Sequence, residues 1–153
     1  MENNEHPTWL VPIDIAKELK EIGFNEACPF IVYPDEDEVV ITGVTNVDID
    51  EVDENEGYDV CADLVVNQCY AFNKHNMQTI PTWTEVFAWF RARGLYSYIR
   101  SYIAPENFYI YSIYDNNNFD KCCGRRDTYE EAQKECVKAL IKTYKNELEK
   151  NNL

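Results

Sequence analysis

One stretch, Ile80-Pro81-Thr82-Trp83-Thr84-Glu85-Val86-Phe87-Ala88-Trp89-Phe90-Arg91-Ala92-Arg93-Gly94, sets the terms for the rest of the chain. Pro81 discourages any helix that starts earlier. Thr82 can cap, and Glu85 stands three residues on, the spacing of a capping box. Trp83, Val86, Phe87 and Phe90 recur at helical spacing. Arg91 and Arg93 favour the negative end of the helix dipole, and Gly94 can take the left-handed conformation that ends it. No other helix candidate is so apolar. Its rings bury large areas, so the fold should be built around it.

Length and composition narrow the class. At 153 residues with 45% hydrophobic content, the chain can bury a core and fits one domain with a tail. No apolar run approaches the ~20 residues of a membrane span. The start, Met1-Glu2-Asn3-Asn4-Glu5, lacks the basic-then-apolar order of a secretory signal, so a cytoplasmic location is expected. Cys28, Cys61, Cys69, Cys122, Cys123 and Cys136 then read as reduced thiols. The net charge of −14 is uneven: Glu21 to Asn73 holds fourteen acids and no Lys or Arg, whereas Lys74 to Arg126 holds seven bases against four acids. Such a balance argues against direct nucleic-acid binding, which calls for a basic face.

Residues 1–8 read as a disordered tail and 9–150 as one domain. Ile13 to Ile22 is a helix with Pro12 at its start, Ile15, Leu19 and Ile22 on one stripe and Gly23 at its end. Cys28–Tyr33 and Val39–Thr42 read as a hairpin with an acidic tip. Residues 44–59 form an acidic loop, and 61–72 fits a helix better than a strand. Leu95 to Ile103 alternates, with Leu95, Ser97, Ile99, Ser101 and Ile103 on one face and Tyr96, Tyr98, Arg100 and Tyr102 on the other. Phe108 to Tyr114 is the returning strand, and Phe119 to Cys123 is a short third one closed by Gly124-Arg125-Arg126. Asp127 or Thr128 caps a last helix whose buried face is Tyr129, Ala132, Cys136, Ala139, Leu140 and Tyr144. The order predicts an α+β fold, an antiparallel sheet of about four to five strands with helices packed on one face.

Pro81 to Arg91 and Thr128-Tyr129-Glu130-Glu131-Ala132 through Ile141, with the helix from Ala16 to Phe24, resemble small uncharacterised proteins of gut Bacteroidales and their phages. Those proteins share a W-x-x-x-F-x-W-F-R-like helix and a closing T-Y-E-E-A helix. The resemblance covers about half the chain and leaves out the acidic loop. It implies a phage or mobile-element origin and a bacterial host cell. It implies no activity, because the shared residues are core and cap positions.

Few constellations could carry chemistry. His6 lies in the tail, and His75 stands near Cys69, yet a Cys-His nucleophile needs the two adjacent in space. Cys122-Cys123 is not a chelating spacing. No phosphate-binding glycine loop, G-x-S-x-G elbow or H-E-x-x-H motif is present. Asp48-x-Asp50 begins like an EF-hand loop, but Val52 falls on the fifth position; starting from Glu51 leaves Ala62 where the bidentate Glu belongs. No metal or cofactor is therefore expected.

The expected interaction surface is the alternating strand, Tyr96, Tyr98, Arg100 and Tyr102, facing Tyr109 and Tyr111 across the hairpin, together with Asp48, Asp50, Glu51, Asp53 and Glu54. Tyrosines beside an arginine suit half-buried packing, protein contact and base stacking alike. The expected function is a non-enzymatic interaction or accessory protein with a host or phage protein as partner. The alternatives are an acidic inhibitor that mimics nucleic acid before a host defence or DNA-processing protein, and a small enzyme of unrecognised type.

Overall fold

A computed structural model describes residues 6–26, 28, 30–32, 39–41, 78–117 and 120–152. The chain divides into two compact units, residues 1–82 and 83–153. Helix and strand mix in both, so the fold is α+β.

The first unit opens with His6, whose Nε2 lies 2.7 Å from the Val11 carbonyl oxygen. Helix α1 (Ile13–Glu21) follows Pro12, which sits extended at the N-cap. Ile15, Ala16 and Leu19 are buried, and Gly23 leaves the helix with φ 94°. Strands β1 (Phe30–Val32) and β2 (Val39–Ile41) form the expected hairpin, with Phe30 opposite Ile41. Strand β3 (Gln78–Thr79) pairs with the other edge of β1, Ile31 opposite Thr79. The sheet order is β2-β1-β3. Just past β3, the Ile80 N–H donates to the Phe30 carbonyl at 2.9 Å, while Pro81 has no N–H to extend the ladder. The Pro81 carbonyl instead accepts from the Val11 N–H at 3.0 Å. The expected helix at 61–72 and the acidic loop lie outside the described residues.

The second unit opens with helix α2 (Trp83–Ala92). Trp83, Val86, Trp89 and Phe90 are its buried residues, so Trp89 replaces Phe87 on the expected stripe. Trp89 packs edge-on against Phe90 and Tyr144. Arg93 lies over the Trp89 ring at 3.6 Å and donates to the Trp89 carbonyl at 3.1 Å, closing the C-terminal turn. Gly94, at φ 82°, turns the chain into strand β4 (Leu95–Tyr102). Strands β5 (Phe108–Asp115) and β6 (Asp120–Arg126) complete a sheet of order β4-β5-β6. Among the described residues, the one sheet of four to five strands expected from the sequence is two antiparallel sheets of three, with β3 added to the free edge of β1.

Strand β6 runs through Gly124-Arg125-Arg126 rather than closing before them. Gly124 lies opposite Tyr111 in the ladder, and a Cβ there would sit 2.5 Å from the Tyr111 hydroxyl oxygen. The glycine is a packing position, not a turn. Helix α3 (Tyr129–Asn151) begins where the Thr128 hydroxyl accepts from the Glu131 N–H at 3.2 Å. Its buried residues are Ala132, Cys136, Val137, Leu140 and Ile141. Val137 and Ile141 widen the expected face, and Tyr129 leaves it, being 43% exposed.

Candidate functional site

Strand pairing decides which rings share a face, because directly opposed residues point the same way. Tyr96 is opposite Tyr114, Tyr98 opposite Ser112, Arg100 opposite Ile110 and Tyr102 opposite Phe108. From β6, Cys123 joins Ser112 and Arg125 joins Ile110. These residues form the outer face. Tyr109 and Tyr111 are opposite Ser101 and Ile99, which puts them on the other face. There Tyr109 meets Tyr129 of α3 edge-on at 5.9 Å, and Tyr111 is buried. The expectation that they complete the tyrosine surface is corrected: the register is Tyr102 to Phe108, so the even-numbered residues of both strands stand together. Phe108, Ile110 and Tyr114 take the expected places.

The outer face is ordered by ring stacking. Tyr96 stacks on Tyr114 at 5.5 Å and 21° between planes, and Tyr102 stacks on Phe108 at 4.7 Å and 6°. Arg125 lies over Phe108 at 3.9 Å and pairs with Glu106 at 3.3 Å. Arg100 lies 5.1 Å from the Tyr102 ring centre. Tyr98, 49% exposed, is the most open ring of this face. Planar rings with guanidinium groups laid on them make a broad, pre-ordered contact surface that loses little entropy on binding.

The inner face holds two thiols, Cys122 opposite Ile113 and Cys136 on α3. Cys136 is buried, and burial pushes its pKa up to about 12 despite a hydrogen bond with Ser97. Tyr111 is raised from its ordinary value, chiefly by burial and then by the nearby Cys122. Both shifts favour the neutral forms. A thiol held protonated is neither a nucleophile nor a metal ligand. Among the described residues, Cys122, Cys123 and Cys136 form no disulfide. Among the described residues, no group of His, Cys, Asp and Glu is placed to hold a metal ion.

A cleft of about 260 Å³ opens beside β4. Thr84, Phe87 and Arg91 line it from one stripe of α2, Ser97, Tyr98 and Ile99 from β4, and Tyr129 from the start of α3. Sequence reading missed it, because Phe87 read as core. Its signal was the spacing of Thr84, Phe87 and Arg91, three and then four residues apart.

Asp48, Asp50, Glu51, Asp53, Glu54, Cys69 and His75 lie outside the described residues. Among the described residues, no helix is long and apolar enough to cross a membrane. No family model, curated protein or solved structure matches the chain.

Proposed function

We propose that this chain is a non-enzymatic binding protein, a phage or mobile-element accessory factor of a bacterial cytoplasm, that engages a partner protein through the outer face of β4, β5 and β6. The observation that carries this reading is the composition of that face: Tyr96, Tyr98, Tyr102, Phe108, Ile110 and Tyr114 with Arg100 and Arg125. Tyrosine and arginine are the residues enriched at the centres of protein interfaces. Nucleic acid is the weaker fit. Residues 83–153 hold eleven bases against ten acids, close to neutral, and residues 1–82 hold three against eighteen. Neither unit offers the basic field that phosphate binding needs.

The test is affinity capture from bacterial lysate with the full chain and with an Arg100→Glu/Tyr102→Ser variant. A partner retained by the first and lost by the second is expected, with both proteins equally folded. Slower association at higher salt, and weaker capture when Asp48, Asp50, Glu51, Asp53 and Glu54 become Asn and Gln, would give the acidic residues a steering role. An identical set of captured proteins would remove the outer face from the reading. Oligonucleotide binding at ~0.15 M salt, abolished by Tyr98→Ala and Arg100→Ala, would make the face a stacking platform instead.

A further inference from the structure

Among the described residues, β4 and β6 are the two edges of the second sheet, and they are built differently. Strand β6 carries Asp120, Lys121, Arg125 and Arg126, and its pairing with β5 is broken by an irregularity at Ile113/Tyr114. Charges and bulges are how natural sheets keep other strands from adding. Strand β4 begins Leu95-Tyr96-Ser97-Tyr98-Ile99, five residues with no charge and no proline. Alternate residues of such an edge turn their N–H and C=O groups away from the sheet. The cleft opens against this bare segment, with three consecutive β4 residues in its wall.

The arginines indicate what fits there. All five lie in this unit. Arg93 is held on Trp89, Arg100 lies over Tyr102, Arg125 pairs with Glu106 and Arg126 with Glu135. Arg91 has no side-chain partner among the described residues, and it is exposed at the cleft. Phe87, half-buried, stands one turn before it on α2. Four helical residues rise about 6 Å, and two strand residues about 6.6 Å. Side chains two apart on an added strand therefore span the distance between Phe87 and Arg91.

We propose that the β4 edge receives an extended segment of a partner protein as a fourth strand. An apolar side chain of that segment seats against Phe87 and Ile99. A carboxylate two residues from it pairs with Arg91, and Thr84 and Tyr129 offer hydroxyl groups at the rim. Main-chain bonds supply affinity, and the two side chains supply selection. A second copy of this chain is the poorer occupant: Leu95–Tyr102 contains no acid, so self-pairing brings no carboxylate to Arg91. This site is separate from the outer face, which it meets only at Tyr98.

The probes are acetylated, amidated peptides, Thr-Thr-Glu-Thr-Leu-Thr-Thr and the same with Glu and Leu exchanged, each with a Lys-for-Glu control. They are titrated into the isotope-labelled full chain. Saturable shifts across Ser97, Tyr98 and Ile99, with slowed amide exchange at those whose N–H groups point away from β5, are expected for at least one acidic peptide, with weaker binding of its control. Arg91→Glu, at an exposed helical position, should weaken the acidic peptide about tenfold and make the Lys peptide the better ligand. Arg100→Glu/Tyr102→Ser should leave the peptide site intact, so this site and the outer face fail or succeed separately. The proposal is overturned by absence of saturation with both acidic peptides at ~1 mM, by unchanged affinity in Arg91→Glu, or by β4 protection that accompanies dimer formation without peptide.

Discussion

Replacing Gly124 by alanine tests the packing of the second unit where the structure is least forgiving. A Cβ at Gly124 would meet the Tyr111 ring at 2.5 Å from the hydroxyl oxygen and 2.6 Å from Cε1 and Cζ, while ordinary contact starts at 3.4 Å. The ring must retreat by about 1 Å in a close-packed interior. Tyr111 is only 6% exposed, and Cys122, Arg126, Glu135 and Cys136 all lie within electrostatic reach. Overpacking of this kind costs roughly 1–3 kcal/mol. Against it stands a gain of roughly 0.5–1 kcal/mol, because alanine is less flexible than glycine in the unfolded chain. Gly124→Ala should therefore destabilise, by up to roughly 2.5 kcal/mol. The decisive step is a cycle with Tyr111→Val, which removes the ring and keeps a residue suited to a strand. In that background the same Gly124→Ala should stabilise, by roughly 0.5 kcal/mol or more. Urea unfolding followed by tryptophan fluorescence gives both numbers, since Trp83 and Trp89 are buried in the same unit. A stabilising Gly124→Ala in the parent chain, or the same sign in both backgrounds, would refute the packing account.

Phe90 is fully buried and Phe87 only half-buried, so Phe90→Ala should cost ~3–5 kcal/mol and Phe87→Ala less than half of that; equal losses in urea unfolding would mean the helix is rotated. Cys136 sets an alkaline limit: its ordinary pKa of 9.0 rises to about 12 on burial, so its stabilising effect is whole below pH 9 and is lost as pH climbs toward 12. The unfolded chain gives up the proton first, so stability falls by at most ~1.4 kcal/mol per pH unit. Cys136→Ala should flatten the decline between pH 9 and 10 in urea titrations, leaving the smaller part due to Tyr111, and an unchanged slope would exclude the thiol as its source.

Local rules carried the three described helices and the long hairpin. Proline at the start of α1, Gly23 and Gly94 with positive φ, and the Thr128 cap are one- to four-residue signals, readable without tertiary context. Strand β3 was hidden because Gln78-Thr79 shows neither alternation nor apolar character; it is a strand only because the edge of β1 was open. The extent of β6 was misread for a related reason. Glycine in a sequence signals a turn, and nothing local says that a tyrosine thirteen residues earlier will lie across Gly124.

On the hairpin, the grouping of residues by face was legible up to one parameter, the register. Period-two alternation grouped Tyr96, Tyr98, Arg100 and Tyr102, but it could not say which phase of the returning strand faced them. With Tyr102 opposite Phe108, the even-numbered residues of β5 join them and Tyr109 and Tyr111 turn toward α3. A slip of one residue would have exchanged every one of those assignments. Charge shows a similar dependence on where the chain is divided. Lys74 to Arg126 carries seven bases against four acids, yet residues 83–153 carry eleven against ten, because the acids of α3 belong to the same unit. A basic stretch of sequence thus falls largely within a nearly neutral unit. What remains on the outer face acts at contact distance: stacked rings, two guanidinium groups lying on them and one open tyrosine. Surfaces of that kind select by shape and apolar burial rather than by net charge, which is why the partner proposed there is a folded protein and not a polyanion.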